Sequence, residues 1–549
     1  MPASLHRFLR GVRLALVFTS LYVFSSTSSW AAPAQNVPRI QWLPCDPALV
    51  VENDHEFEGR LSCARFRAPL DHLQPDGRTI EVGAVRMAAA DRTRYKGTLF
   101  VNIGGPGGHP GRLVTELVSA FQSWDRNDPV HGAERELIDR YDIIGVIPRG
   151  LTGGWTLDCG DALNAVHPFP PTHRDDTHWH RLAAGARALA RACTKTPEAR
   201  YVSTEQHVHD MDYVRRAIGE DRIHFYGISY GGRVGAWYAA MYPNHIGNML
   251  LDSSMVFPAS FRKATYASMD AQQKRFETKV LAPLLADPRR YGQPVDRAAL
   301  RWAPHALHPE VRPYWYDMLD TPDHLAAALT MSRWLDADGW QGWRNLAARM
   351  TSGRMSDDAT AHSELQVAAW DLLAPHLSPA VVAPSPSPED RAEQSTYLAV
   401  VCNDEANWGS EPQIRARADN DAFRYPLDNG VQTFVQLVCA SWGPRTSRAP
   451  DLDMLAQGQP FLMVHAAGDV ATPIAGTRNI ILPTFPNARL ITVTGTDTHG
   501  LLGQSGAPCI EHDAARYLLD GTLPMQDLQE SVCPFERPDD HPAYYRHRW

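Results

Sequence analysis

The sequence has no C-x-x-C motif, no block of basic residues and, beyond its N-terminal segment, no apolar run long enough to span a bilayer. Zinc-ribbon and thioredoxin-like chemistry are therefore not indicated. The net charge of −9 disfavours nucleic acid as a partner. Five histidines lack carboxylates at metal-ligand spacing, so we expect them to face solvent and expect no metal or other cofactor: His173, His178, His180, His207 and His209.

The N-terminus has the residue order of a secretory signal peptide. Basic residues up to Arg13 precede a short apolar stretch, Leu14–Phe24, and small residues follow at Ala31–Ala34. The apolar stretch is too short for a spanning helix, which makes a membrane anchor the weaker interpretation. We expect cleavage within Ala31–Ala34 and a secreted or periplasmic protein without a stable membrane anchor.

Cysteine is scarce, with eight residues in 549, but the even number behind a signal peptide predicts disulfides in an oxidising compartment. Eight cysteines allow 105 pairings, and the alternative is that some are free buried thiols. The simplest pairing joins neighbours along the chain: Cys45–Cys63, Cys159–Cys193, Cys402–Cys439 and Cys509–Cys533.

Predicted strands alternate with helices, which indicates an α/β fold with a mostly parallel central sheet flanked by helices. We predict a signal peptide at 1–34, a first core part at 35–257, an inserted helical cap at 258–395, a second core part at 396–536 and a tail at 537–549. The region 258–395 is rich in tryptophan. The alternative to an inserted cap is that this region is an ordinary helical segment of the core, in which the aromatic side chains pack. Strands are predicted at 80–87 (an antiparallel edge hairpin), 98–103, 141–147, 223–226, 248–252, 396–401, 460–464 and 488–493.

The stretch Gly227-Ile-Ser-Tyr-Gly231 has the G-x-S-x-G pattern of a nucleophile elbow, with an apolar strand before it and a helix after it. Ser229 is the candidate nucleophile, because such a corner exposes its hydroxyl at a helix N-terminus. The loop Gly104–Gly108 follows another buried strand and can present backbone N–H groups. Gly105 and Tyr230 are therefore the candidate oxyanion-hole residues. The alternatives are an ordinary glycine-rich turn and a flexible linker.

A serine hydroxyl needs a base, and that base needs an orienting carboxylate. Asp469 and His499 follow predicted strands, and the chain order Ser, Asp, His is that of α/β-hydrolases. Three other residues compete for these roles. Asp252 and Asp497 are rival acids, and His465 is a rival base that precedes the acid.

The sequence combines six stretches: Phe100–Gly108, Tyr141–Gly150, Gly227–Gly231, Gly468–Pro473, His499-Gly500 and Cys509–Cys533. Together they resemble the secreted bacterial tripeptidyl aminopeptidases, proline iminopeptidase-like serine peptidases of the α/β-hydrolase fold. The resemblance implies that fold, with Ser229 as nucleophile, Asp469 as acid and His499 as base. This sequence departs from the family at His109-Pro110 and at Ile147, which bears on substrate choice.

The resemblance implies hydrolysis of a peptide bond near a free N-terminus. Binding a substrate ammonium calls for acidic groups, and Asp404 and Glu405 are the candidates, with a solvated acidic turn as the alternative. We expect a peptide or small acyl substrate and leave the oligomeric state open. The competing functions are a carboxylesterase or lipase-like hydrolase, since fold does not decide substrate, and a binding protein on an inactive hydrolase fold.

Overall fold

The computed structural model describes residues 37–46, 57, 59–164, 175–294, 300, 302–315, 318–377, 386–427, 430–504, 506–525 and 527–536. The predicted signal peptide, the tail 537–549 and His173 lie outside the described residues. Among the residues described, no helix is both long and apolar enough to cross a membrane.

Among the described residues, one sheet of nine strands organises the fold, in the order β1-β2-β4-β3-β5-β6-β7-β8-β9. β1 pairs antiparallel with β2, and β2 with β4, whereas the other neighbours are parallel. The predicted edge hairpin is confirmed. The strands are β1 Leu61–Pro69, β2 Thr79–Met87, β3 Gly97–Asn102, β4 Tyr141–Ile147, β5 Ile223–Ile228, β6 Ile246–Asp252, β7 Phe461–Ala466, β8 Ala488–Thr494 and β9 Glu530–Pro534.

The first six helices are α1 Pro110–Gln122, α2 Gly132–Arg140, α3 Asp176–Cys193, α4 Thr204–Ile218, α5 Gly231–Met241 and α6 Phe261–Arg275. Further α-helices span Ala282–Ala286, Arg312–Trp315, Pro322–Asp338, Trp343–Ser352, Ala359–Leu377, Pro388–Asp404, Glu411–Arg424, Val431–Ala440, Asp453–Ala456, Ile474–Gly476, Leu482–Thr484 and Ala515–Asp520.

The central strands are buried on both faces, as expected for parallel strands covered by helices. Every residue of β4 and β7 is buried. Successive residues of a strand point to opposite faces, so Ile144 joins one core cluster and Ile143 the other. A third cluster lies within 276–373, around Trp315 and Leu365. The cap boundaries at 258 and 395 stay a prediction.

The predicted strand at 396–401 is wrong, because these residues lie in the helix Pro388–Asp404. A short apolar run has no periodicity that separates a buried strand from a buried helix. The upstream signal was a capping box, in which the Ser387 and Asp390 side chains each accept the other's backbone N–H. The sheet therefore resumes only at Phe461, in β7.

The expectation that His207 and His209 face solvent is also wrong. Both lie in α4, where nearly every residue is buried, with 4% and 1% of their surface exposed. Two-sided burial removes the polar face that the sequence suggests, and it lowers the pKa of His207 to about 4. Nδ1 of His209 instead bonds the hydroxyl of Tyr242 at 2.6 Å.

The four disulfides join neighbouring cysteines, which confirms the simplest pairing. Cys402 and Cys439 link the helices Pro388–Asp404 and Val431–Ala440 across a sequence separation of 37. The bond Cys509–Cys533 ties β9 to the segment before the last helix.

Replacing Cys402 and Cys439 together by serine should lower the free energy of unfolding by about 3–4 kcal/mol, because the bond closes a loop of that length in the unfolded chain. Urea unfolding measures the loss. A reducing agent should then destabilise this variant less than the wild type. An unchanged unfolding transition would contradict the prediction.

Candidate active site

Ser229 lies at the corner between β5 and α5 with a backbone φ of 60°, in the left-handed region. A serine there is strained by about 1–2 kcal/mol. The corner closes because its flanking residues have no side chains. A Cβ at Gly227 would lie 2.6 Å from the carbonyl oxygen of Gly231, and one at Gly231 would lie 2.6 Å from that of Asn102. The pattern therefore forms the elbow that the sequence predicts.

The glycine loop packs directly against this corner. Gly104 has φ +96°, and a Cβ there would lie 2.5 Å from the oxygen of Ile228 and 3.0 Å from Cβ of Ser229. Oδ1 of Asn102, the last residue of β3, accepts the N–H of Gly104 at 3.0 Å. Its Nδ2 lies 3.3 Å from Nε2 of the buried His207. The loop is thus a structured part of the site rather than a flexible linker.

Asp469 follows β7 and is buried, with 3% of its surface exposed. Its Oδ1 accepts the backbone N–H groups of Ala471 at 2.8 Å and Thr472 at 3.1 Å. Its Oδ2 lies 2.8 Å from Nδ1 of His499. Burial alone would raise the pKa of Asp469, but the bond and charge of His499 and the neighbouring donors hold it below the usual value. The carboxylate is therefore ionised and fixed toward the imidazole.

The rival candidates for the acid and the base have other hydrogen-bond or ion-pair partners. Asp497 forms an ion pair with Arg275 of α6 at 2.7 Å. Nε2 of His465 donates to the carbonyl oxygen of Thr472 at 2.5 Å, and burial lowers the pKa of its imidazole. The carboxylate of Asp252 is buried at the end of β6 and accepts backbone N–H groups, and burial raises its pKa.

The loops that carry Asp469 and His499 reach the corner of Ser229. A Cβ at Gly500 would lie 3.4 Å from Cγ2 of Ile228. Oγ1 of Thr472 lies 2.8 Å from Oδ2 of Asp469 and 3.3 Å from Nδ1 of His499. Thr472 also lines the same cavity as Ser229. The parallel strand order explains this meeting, since the carboxyl ends of β5, β6, β7 and β8 share one edge of the sheet.

A cavity of about 170 Å³ lies beside Ser229. Its walls come from the glycine loop, α6, the loop after Asp469 and the helix Pro388–Asp404. Among the described residues that line it, no side chain is charged. The sequence does not indicate the wall from that helix, because the apolar run that contains Tyr397 predicts a strand. The cavity is lined by Gly105, Pro106, Ser229, Tyr230, Met255, Val256, Phe261, Ala264, Thr265, Ala267, Ser268, Tyr397, Gln432, Ala471, Thr472 and Pro473.

The candidate amine-binding residues lie outside this lining. Asp404 accepts hydrogen bonds from Thr204 N–H at 3.1 Å, from the Thr204 hydroxyl at 2.5 Å and from Ser447 Oγ at 3.0 Å. The same Thr204 hydroxyl bonds the phenol of Tyr230, so Asp404 lies behind the cavity wall. Oε2 of Glu405 accepts the N–H of Arg262 at 3.1 Å. Both residues are half-buried.

Comparison with known proteins matches residues 136–327 to a family model described as alpha/beta hydrolase fold, and residues 425–533 to one described as TAP-like protein. The tripeptidyl aminopeptidases of Streptomyces coelicolor and Streptomyces lividans are each 26% identical to this chain over 510 residues. The match covers 87% of this chain and 84% and 85% of theirs.

Serine protease Hip1 of Mycobacterium tuberculosis is 26% identical over 255 residues, which is 45% of each chain. The chain therefore has the α/β-hydrolase fold and tripeptidyl aminopeptidase homologues. The fold class and the resemblance inferred from the sequence are confirmed.

Replacing Gly104 by alanine should lower both stability and turnover, because the new methyl group meets the Ile228 oxygen and Ser229. Gly219 is the matched control, since its φ is +81° but a Cβ added there would meet no other described residue within 4 Å beyond its chain neighbours. Gly219→Ala should cost about 1 kcal/mol in thermal unfolding and leave turnover unchanged. Equal effects of the two substitutions on turnover would contradict the packing described here.

Proposed function

We propose that this α/β-hydrolase with tripeptidyl aminopeptidase homologues is a serine aminopeptidase that uses Ser229, Asp469 and His499 as a catalytic triad. The observation that carries the proposal is the 2.8 Å contact between Nδ1 of His499 and the buried carboxylate of Asp469. With Nδ1 committed to Asp469, Nε2 is the nitrogen that can take the proton of Ser229.

In the proposed mechanism Nε2 of His499 accepts the hydroxyl proton while Oγ of Ser229 attacks the substrate carbonyl. The ionised Asp469 stabilises the imidazolium that forms. His499 then gives the proton to the departing amine, which leaves an acyl group on Ser229. Water, deprotonated by His499, hydrolyses this ester and restores the free serine.

The proposed oxyanion hole consists of the backbone N–H groups of Gly105 and Tyr230. Both residues line the cavity beside Ser229, and Tyr230 caps the N-terminus of α5, where the helix dipole favours negative charge. One such donor contributes about 3–4 kcal/mol of transition-state stabilisation.

The cavity suggests an acyl part without charged side chains, because the described residues that line it carry no charge. For the substrate ammonium we retain Asp404 and Glu405 as candidates. Glu405 is the stronger of the two, since Asp404 already accepts three hydrogen bonds and Glu405 accepts one.

The alternative is a carboxylesterase of the same fold. It is favoured by the same uncharged cavity, because an aminopeptidase must place a carboxylate near the substrate amine and none lines this cavity among the described residues.

We also propose export, supported by the signal-like N-terminus and by four disulfides in the described chain.

The activity test compares tripeptidyl-amide, single-aminoacyl-amide and short-chain ester reporters. The proposal predicts hydrolysis of an amide reporter, and Ser229→Ala should reduce kcat by at least about 10³-fold without loss of the folded state. Hydrolysis of esters alone would favour the carboxylesterase. Undiminished amide hydrolysis by Ser229→Ala would refute the assignment of the nucleophile.

The amine-binding proposal is tested with free and N-acetylated versions of one peptide amide. Glu405→Gln should reduce the preference for the free N-terminus by about tenfold, which corresponds to one lost charge interaction. Asp404→Asn should have a smaller effect on that preference. If both variants keep the wild-type preference, the ammonium is bound elsewhere.

A further inference from the structure

We propose that Asp252 and Ser253, at the C-terminal end of β6, are a positioning pair that holds the loops of Ser229, Asp469 and His499 in register. This inference rests on the proposed function, because it assigns the pair its role through those three residues. In this proposal neither residue touches the substrate. Both position the three side chains between which the proton is transferred.

The carboxylate of Asp252 anchors the loop of His499. Its Oδ2 accepts the N–H groups of Leu501 at 2.7 Å and Leu502 at 2.9 Å. Oγ of Ser253 accepts the N–H of Gly500 at 2.9 Å. Three consecutive amides directly after His499 are therefore fixed to two adjacent side chains.

The backbone of the same pair holds the other two loops. The carbonyl oxygen of Asp252 accepts the N–H of Ser229 at 2.9 Å. The carbonyl oxygen of Ser253 accepts the hydroxyl of Thr472 at 2.7 Å, and that hydroxyl lies 2.8 Å from Oδ2 of Asp469. Ser229 is thus bonded directly to this dipeptide. Asp469 is linked to it through Thr472, and His499 directly precedes the three anchored amides.

The dipeptide is itself held rigidly. The N–H of Ser253 donates to the carbonyl oxygen of Val464 in β7 at 2.8 Å. Its hydroxyl donates to Oδ1 of Asp252 at 3.0 Å. Ser253 has φ 46°, a left-handed conformation that costs a non-glycine residue about 1–3 kcal/mol and persists only where its surroundings impose it.

Burial of the Asp252 carboxylate also has a large desolvation cost in free energy. Both residues have 0% exposed surface. No basic side chain forms an ion pair with Asp252 in the part of the chain that the structure describes, so amide and hydroxyl donors stabilise its charge. A buried charge without a counter-ion is costly unless its acceptor sites are filled, and here four donors fill them. Only a carboxylate accepts from all four at once.

Asp252→Asn keeps the shape but replaces one acceptor oxygen by an amide donor. Ser253→Ala removes the acceptor for the Gly500 N–H and the hydroxyl that donates to Oδ1 of Asp252. Tyr226→Phe is the matched control, because it removes one hydroxyl that donates to Oδ2 of Asp252 at 3.1 Å and keeps the side chains that accept the amides of the His499 loop. Thermal unfolding first establishes which variants fold.

The measurements are kcat and KM on the reporter that the wild type hydrolyses, and the rate constant of inactivation by a fluorophosphonate. A shift of about 1 Å in a reacting group costs on the order of 10²-fold in rate. We therefore expect Asp252→Asn to lower kcat and the inactivation rate by about 30–100-fold, Ser253→Ala by about tenfold and Tyr226→Phe by less than threefold. KM should change by less than threefold in all of them.

The inference is overturned if folded Asp252→Asn keeps wild-type kcat and inactivation rate, or if Tyr226→Phe loses as much as Asp252→Asn. If Asp252→Asn does not fold, Ser253→Ala decides, and wild-type rates in that variant overturn the proposal. A failure of the triad itself gives a different result, because Ser229→Ala would then remain active or the wild type would not react with the fluorophosphonate.

Discussion

The left-handed backbone of Ser229 is the constraint on which the rest of the site depends. At φ 60° Ser229 turns the chain from β5, which ends at Ile228, toward α5, which begins at Gly231, and this places its side chain at the sheet edge. The corner needs empty space on both sides, and Gly227, Gly231 and Gly104 supply it. A side chain at any of the three would meet backbone atoms at 2.5–2.6 Å, so the glycines are a steric requirement of the fold.

Three aspartates near the site show how environment separates chemical roles. Asp469 faces an imidazole and stays ionised, with its pKa below the usual value. Asp252 faces amide and hydroxyl donors, and Asp404 faces Thr204 and Ser447 behind the cavity wall. Burial raises the pKa of both of these carboxyls. The same residue type therefore serves as a proposed acid partner, a proposed loop anchor and a wall support.

The parts of the fold that the sequence predicted have strong local signals. An apolar strand, a G-x-S-x-G corner and a helix define the elbow, and glycine runs after strands define the neighbouring loops. Residues 396–401 form part of a helix although the sequence predicts a strand, because a short apolar run fits a buried strand and a buried helix equally well. The burial of His207 and the anchoring contacts of Asp252 could not be predicted, because they depend on segments such as Gly500–Leu502 that are far away in the sequence.

The most direct test of the account is a crystal structure of the protein after reaction with a fluorophosphonate. We predict a covalent adduct on Oγ of Ser229, with Nε2 of His499 within about 3 Å of that oxygen. We also predict that the phosphonyl oxygen lies 2.7–3.1 Å from the N–H groups of Gly105 and Tyr230, the usual range for an oxyanion hole. An adduct on another residue, or an imidazole of His499 turned away from Ser229, would contradict it.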